Sequence, residues 1–438
     1  MRKTIIIGAG VSGLSAAHFL KTPYTVLEAK SFAGGLCASF CKNGFTFDCS
    51  GHFIHARNEQ TKKLIDKLCS GINKITRKAS IYMDMKFIPF PFQANLFYLD
   101  EKKKKECIKT LLQIKDGTTT STHETFLKWS NATFGTAITK YFMHPYNRKL
   151  WDYDLNKMTA DWCGEFVPNP DITRIIRSAY SKNKIKYGYN SEFFYPKSGG
   201  CQTLINGFLK EIKVSLNSKV IKIDVKNKEV LTEDKQKHKY DKIISTQSVT
   251  ELIKQIPDAP TTVKNASNKL IACSVRCINI GVKSKHGIPK ILKDKHWIYV
   301  PEKVFPFYRF GIYSNVNKFS APKDSYSFYV EFSSINRDYK NSENVLNDLK
   351  HAGFIGLDDK IVVLNSIEIP NAYVIYDNNR EKAILEITSF LNKHDIYSIG
   401  RYGAWEYSFI EKNIEDAHVI AKHINSSFKN FSLKEKKC

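Results

Sequence analysis

The stretch TIIIGAGVSGLSAAHFL, residues 4–20, followed by YTVLEAKSFAGGL, residues 24–36, decides the fold. Thr4-Ile5-Ile6-Ile7 is a run of β-branched residues without polar alternation, the pattern of a strand buried on both faces of a parallel sheet. Gly8, Gly10 and Gly13 follow at G-x-G-x-x-G spacing. The first permits a tight turn, the second lets backbone approach a pyrophosphate, and the third lets a helix over Val11 to Leu20 pack on the strand. The N-terminus of that helix, with Val11 and Ser12, then faces the phosphates. A second strand, Thr25 to Leu27, ends in Glu28-Ala29, where an acid accepts hydrogen bonds from ribose hydroxyls and repels a 2′-phosphate. The expectation is an α/β protein with a Rossmann-type dinucleotide-binding domain.

Ala33-Gly34-Gly35-Leu36 adds a second glycine turn. VLEAKSFAGGLCASF resembles the extended fingerprint of glutathione-reductase-type and amine-oxidase-type flavoproteins, and that resemblance implies FAD in place of NAD, with Gly34, Gly35 and Leu36 against the cofactor.

A chain of 438 residues is too long for one ordinary core and implies two or three domains. The net charge of +24 calls for an anionic partner to be considered. The lysines are scattered, however, with tight runs only at Lys102 to Lys105 and around Lys434, and no nucleic-acid module accompanies them, so nucleic acid is not the expected partner. Ten cysteines show no C-x-x-C pair and no zinc spacing, which points to reduced, mostly buried thiols of a cytoplasmic protein without a metal. No apolar run reaches spanning length, so no membrane insertion is expected. Oligomeric state is not legible.

Glu59 to Leu68 reads as a helix, and SIYMDMKFIPFPFQANLFYL as alternating residues that Pro89 and Pro91 limit to strand edges or an extended loop. Lys103 to Asn147 has helical spacing. Short strands with turn signals follow Gly199-Gly200, a β-rich stretch runs from about Leu270 to Phe332, and the end returns to strand, glycine turn and helix. The chain therefore divides into a discontinuous FAD-binding domain (1–75, 190–255 and 385–438, glutathione-reductase-like), a mostly helical substrate insertion (76–189) and an antiparallel-sheet substrate domain (256–384).

IPFPFQANL (88–96), FMHPYNRKLW (142–151), WCGEFVP (162–168), FPFYRFGIYSN (305–315) and GRYGAWEY (400–407) occur in the order found in UDP-galactopyranose mutases. The chain resembles the eukaryotic-type branch and its bacterial relatives, within the wider amine-oxidase and protoporphyrinogen-oxidase-like flavoproteins. The resemblance implies a UDP-sugar substrate, UDP-galactose by default, whose pyranose and furanose forms interconvert through an adduct of the sugar with N5 of reduced FAD. NADH or NADPH would reduce the flavin at the outset, and the product would enter cell-surface glycan biosynthesis. Carried residue by residue, it implies that Gln93, Phe142, Asn147 and Trp151 lie near the uridine, Asn190 near sugar or flavin, and Arg309, Tyr373 and Tyr407 on the pyrophosphate. His52 would lie beside the isoalloxazine, and Val220, Gly400 and Arg401 would contact the cofactor. His52 and Arg309, with the flavin N5 as nucleophile, are the expected catalytic groups.

Two departures stand out. Phe166 occupies the place of a second clamp arginine, and Val316 that of a further tyrosine. Arg148, Arg174 and Arg177 are candidates to supply the missing cation. The alternative readings are an FAD-dependent oxidoreductase of the amine-oxidase or protoporphyrinogen-oxidase type, and a flavin-binding protein without catalysis.

Overall fold

The computed structural model describes residues 3–115, 125–164, 166–168, 171–182, 191–333 and 342–435. Thr4–Ile7 (β1) is buried along its length and pairs in parallel with Tyr24–Leu27 (β2) on one side and Lys242–Ser245 on the other. Ile396–Ser398 and Val214–Ser215 extend the ladder to five strands, so one parallel sheet draws on segments separated by hundreds of residues. Helix Val11–Phe19 (α1) crosses this sheet. It is apolar or small on nearly every face, which suits a helix sandwiched in the interior. Leu14 and Ala17 share a core with Ile414, Ala417 and Ala421 of the C-terminal helix.

The second layer is a seven-stranded sheet in the order Lys360–Val374, Ala272–Lys283, Ser325–Ser333, Arg309–Ile312, Trp297–Tyr299, Ala79–Met83, Lys86–Pro89. It is antiparallel except where Trp297–Tyr299 pairs in parallel with Ala79–Met83. Residues 79–89 therefore belong to this sheet, whereas the sequence reading placed them in the helical insertion. Ile81 and Ile88 bury against the helical core and Tyr82 against the sheet core, and Pro89 is tolerated because its strand lies at the edge. The fold is the α/β, Rossmann-type FAD-binding architecture with helices inserted and an antiparallel sheet alongside.

Helices Glu101–Lys115, Phe126–Ile138, His144–Trp151 and Ile172–Arg177 supply the remaining wall. Of the nine described cysteines, all are free and only Cys41 is exposed. No helix among the described residues is long and apolar enough to cross a membrane.

Candidate functional site

The glycine turns form a cradle made of backbone. A Cβ on Gly13 would meet the Gly8 carbonyl oxygen at 2.0 Å, so only glycine lets α1 approach β1 this closely. Gly34 adopts a φ of 139°, open to glycine alone, and its N–H donates to Ala9 O at 2.9 Å. A Cβ on Gly10 would meet Gly35 Cα at 3.8 Å and Gly34 O at 4.0 Å, both ordinary contacts. The protein thus does not itself require glycine there, and the room lies where a pyrophosphate would pass. Glu28 accepts from Ala9 N–H (2.8 Å) and Lys30 N–H (3.0 Å), which leaves carboxylate lone pairs for ribose hydroxyls. Ala29 is exposed beside it. Val220 is reached from the same end, since Ser218 N–H donates to Glu28 O, and its own carbonyl accepts from Gln255 Nε2 at 2.9 Å. A Cβ on Gly400 would lie 2.6 Å from Ser12 Oγ, so the last glycine turn abuts the start of α1.

From Leu36 a cavity of about 260 Å³ opens between the seven-stranded sheet and the inserted helices. His52, Gln93, Phe142, Asn147, Arg309, Tyr373, Arg401 and Tyr407 all line it. The folding therefore brings together residues drawn from six separate stretches of sequence. Asn190 lies outside the described residues.

Glu331 holds Arg309 along one edge of its guanidinium: Nε to Oε2 is 2.5 Å and Nη2 to Oε1 is 2.8 Å. Glu331 is 1% exposed and also accepts from Ser50 Oγ. Burial alone would raise its carboxyl, but the guanidinium and these hydrogen bonds hold it below the ordinary range. Burial likewise opposes the charge on Arg309, and Glu331 outweighs it, so the arginine stays firmly protonated. Glu331 was not legible as a site residue. A lone acid inside the apolar strand SYSFYVEFS is the signal that points to it.

Arg401 places its whole fork on backbone carbonyls: Nε and Nη2 on Ala372 O (3.1 and 2.7 Å) and Nη1 on Ser408 O (3.0 Å). Its guanidinium carbon also sits 5.2 Å from the ring of Tyr373 and 5.0 Å from that of Tyr407. Arg401 thus joins the strand carrying Tyr373 to the loop carrying Tyr407, and the two tyrosine rings lie at 19° and 6.0 Å. Trp151, expected near the uridine and its surroundings, stands behind the cavity wall. It is fully buried, does not line the cavity, and packs edge-on behind Tyr373 at 5.5 Å, because Asn147 Oδ1 accepts its indole N–H and turns it inward. The Asn147 amide is occupied at its other end by Met143 O, 2.7 Å away. Phe142 is stacked on Phe92 (5.2 Å, 5°) and Tyr146 (5.4 Å, 8°). Gln93 donates to Pro168 O, and its Oε1 is buried with no partner among the described residues.

His52 Nδ1 is likewise buried without a partner among the described residues. Burial, with Arg401 next in weight, pushes the imidazole down to about 4, so it is neutral at physiological pH. Phe166 meets Tyr407 edge to face at 4.6 Å and lies 6.3 Å from Phe409. The three candidate replacement cations do not reach the site: Arg148, Arg174 and Arg177 are exposed and none lines the cavity. Each sits on an outward face of its helix, Arg148 with Asp152 and Arg174 with Asp171. Val316 is buried in the core beside α1.

FAD fits these residues. The backbone cradle would take the phosphates, Glu28 the ribose, and the orphaned Nδ1 of His52 belongs to a residue that lines the cavity.

The family model described as flavin containing amine oxidoreductase matches residues 11–318. The structure of reduced UDP-galactopyranose mutase superimposes with a TM-score of 0.91 at 27% identity, covering 97% of this chain and 95% of that one. Putrescine oxidase bound to putrescine matches at 0.65 and 15% identity over 97% and 99%, a likeness of fold alone. A stretch of 72 residues is 38% identical to the inactive all-trans-retinol 13,14-reductase of Danio rerio, covering 15% of this chain and only 12% of that relative's length.

Proposed function

We propose that this chain, which belongs to the flavin containing amine oxidoreductase family, is a flavin-dependent nucleotide-sugar mutase that interconverts pyranose and furanose forms of a UDP-sugar, UDP-galactose by default. The observation that carries the reading is the likeness to reduced UDP-galactopyranose mutase along 97% of the chain. Reduced FAD, when bound, supplies the N5 nucleophile for the anomeric carbon, and NADH or NADPH would supply the electrons.

The side chains divide the remaining work. Arg309 faces Glu331 with Nε and Nη2, which leaves Nη1 for a phosphate oxygen. Tyr373 and Tyr407 donate from neutral phenols, adding hydrogen bonds without charge. Gln93 Oε1 is an open acceptor for the N3–H of a uracil. Arg401, Asn147 and Trp151 hold these groups in place through the contacts above. His52 stays neutral and contributes no competing charge. The aromatic walls exclude water from an activated sugar.

A second reading, an oxidoreductase passing hydride from an amine, porphyrinogen or polyene to FAD, is favoured by one feature. Phe166, Tyr407 and Phe409 make an aromatic wall where the mutase resemblance calls for an arginine. Anaerobic incubation of the dithionite-reduced holoprotein with UDP-galactopyranose and a panel of other nucleotide sugars, read by NMR, separates the two. A furanose that forms only with reduced flavin supports the mutase. No isomer from any donor, with FAD bound and reducible, transfers the reading to the oxidoreductase.

A further inference from the structure

Strands Trp297–Tyr299 and Arg309–Ile312 are joined by a turn that delivers Arg309 to the cavity. Its ends close through Val300 N–H to Tyr308 O at 2.9 Å. Pro301 and Pro306 contribute no N–H, and Val300 and Phe307 are fully buried, so the turn has more inward carbonyls than backbone donors to satisfy them. One side chain fills the gap. Lys149 Nζ, from the His144–Trp151 helix, lies 2.7 Å from Val300 O, 3.1 Å from Glu302 O, 2.9 Å from Phe305 O and 2.6 Å from Phe307 O. Three residues earlier on that helix, buried Tyr146 packs from the cavity side, edge-on to Tyr299 (5.2 Å) and Tyr308 (6.4 Å) at the two ends of the turn.

We propose that Lys149 is a positioning residue: its ammonium, enclosed by four carbonyl oxygens, locks the helix bearing Tyr146 and Asn147 to the strand bearing Arg309, and so sets the spacing of the two cavity walls. Carbonyls turned inward without a donor are costly, and a charged donor satisfies several at once. Burial pushes the ammonium down to about 7 while the Glu302 carboxylate opposes this, so the cage works by concentrating acceptors on a cation that is otherwise poorly solvated. The effect on substrate rests on the nucleotide-sugar reading of the cavity; the locking itself does not.

The test compares the FAD-loaded wild type with Lys149→Met, Lys149→Gln and Lys149→Arg by amide hydrogen exchange and by UDP titration of tryptophan fluorescence. In Lys149→Met, amides of residues 298–312 should exchange about tenfold faster or more, with those of Thr4–Ile7 unchanged. The Kd for UDP should rise about tenfold or more, with Lys149→Arg, which keeps the charge, nearest the wild type. Exchange and Kd both within about twofold of wild type in the Met variant would overturn the proposal. If that variant does not accumulate as folded holoprotein, the same comparison of Gln with Arg decides, and equal behaviour of the two overturns it. A wild type that does not bind UDP defeats the nucleotide-sugar reading instead, and the exchange arm still judges the lock.

Discussion

The glycine cradle and the cavity it opens into are built on opposite principles. The cradle comes almost entirely from residues 4–36 with one contribution from Gly400, and it works by leaving atoms out: Gly13 lies against Gly8 O with no room for a Cβ. The cavity gathers Gln93, Asn147, Phe166, Arg309, Glu331, Tyr373 and Tyr407 from distant segments and works by filling space with rings and a compensated charge pair. A site of excluded volume tolerates almost no substitution. A site of compensated charge and packed rings can be retuned by a single side chain, and Phe166, edge to face on Tyr407, is one ring of its wall.

That contrast breaks first at the cradle. Gly13→Val would drive a side chain into the Gly8 carbonyl, and we expect a loss of about 3 kcal/mol or more, together with the bound flavin, read as flavin-to-protein absorbance ratio and urea midpoint. Near-normal flavin content in this variant would remove the close approach as the determinant.

In the cavity, Glu331→Ala leaves Arg309 as an uncompensated buried charge and should destabilise by about 3–5 kcal/mol, with Arg309→Ala comparable. The double variant should be less destabilised than the sum of the two, and strict additivity would show that the pair is not coupled. Arg309→Ala should also lower kcat/KM by more than about tenfold if the arginine binds phosphate.

A third prediction concerns pH. His52, His55 and His296 are each pushed by burial from 6.5 to about 4. Since the folded value lies below the unfolded one, their stabilising contribution is complete above pH 6.5 and is lost as pH falls toward about 4. Denaturant titrations between those limits should show stability falling on acidification, and His52→Asn should flatten the slope by close to one proton. An unchanged slope would mean that His52 titrates alike in both states.

The smallest effect sharpens the comparison most. Phe166→Leu removes one edge-to-face contact with Tyr407 and should cost only about 1 kcal/mol of stability. If it nevertheless alters which nucleotide sugar is turned over, Phe166 selects the ligand; unchanged selectivity would make it packing.

Legibility followed the same division. The cradle was readable because strand, turn and acid follow one another within one unit, where local sterics dictate residue type. Phe166 was readable as a departure only because a motif surrounds it. Whether Trp151 lines the cavity or backs its wall was not readable, because an aromatic that faces a ligand and one that supports the wall behind it obey the same burial statistics. The replacement cations were misjudged because helical spacing does not reveal which face of the His144–Trp151 helix turns outward, and Arg148 proved exposed. The edge-strand character of 79–89 was readable from its alternation and prolines, but its place in the seven-stranded sheet was not, because its partner, Trp297–Tyr299, lies more than two hundred residues away.

By itself the sequence determined that this protein carries a Rossmann-type dinucleotide turn with glycine at each place where backbone must approach backbone. Those are short-range constraints of volume and dihedral angle, written in adjacent residues. Only the tertiary structure decided that Glu331 holds Arg309, that Arg401 joins the Tyr373 strand to the Tyr407 loop, and that Lys149 closes the turn before Arg309. Each of these is a charge satisfied by a partner remote in the chain, and the demand of a buried charge for a partner names no position in the sequence.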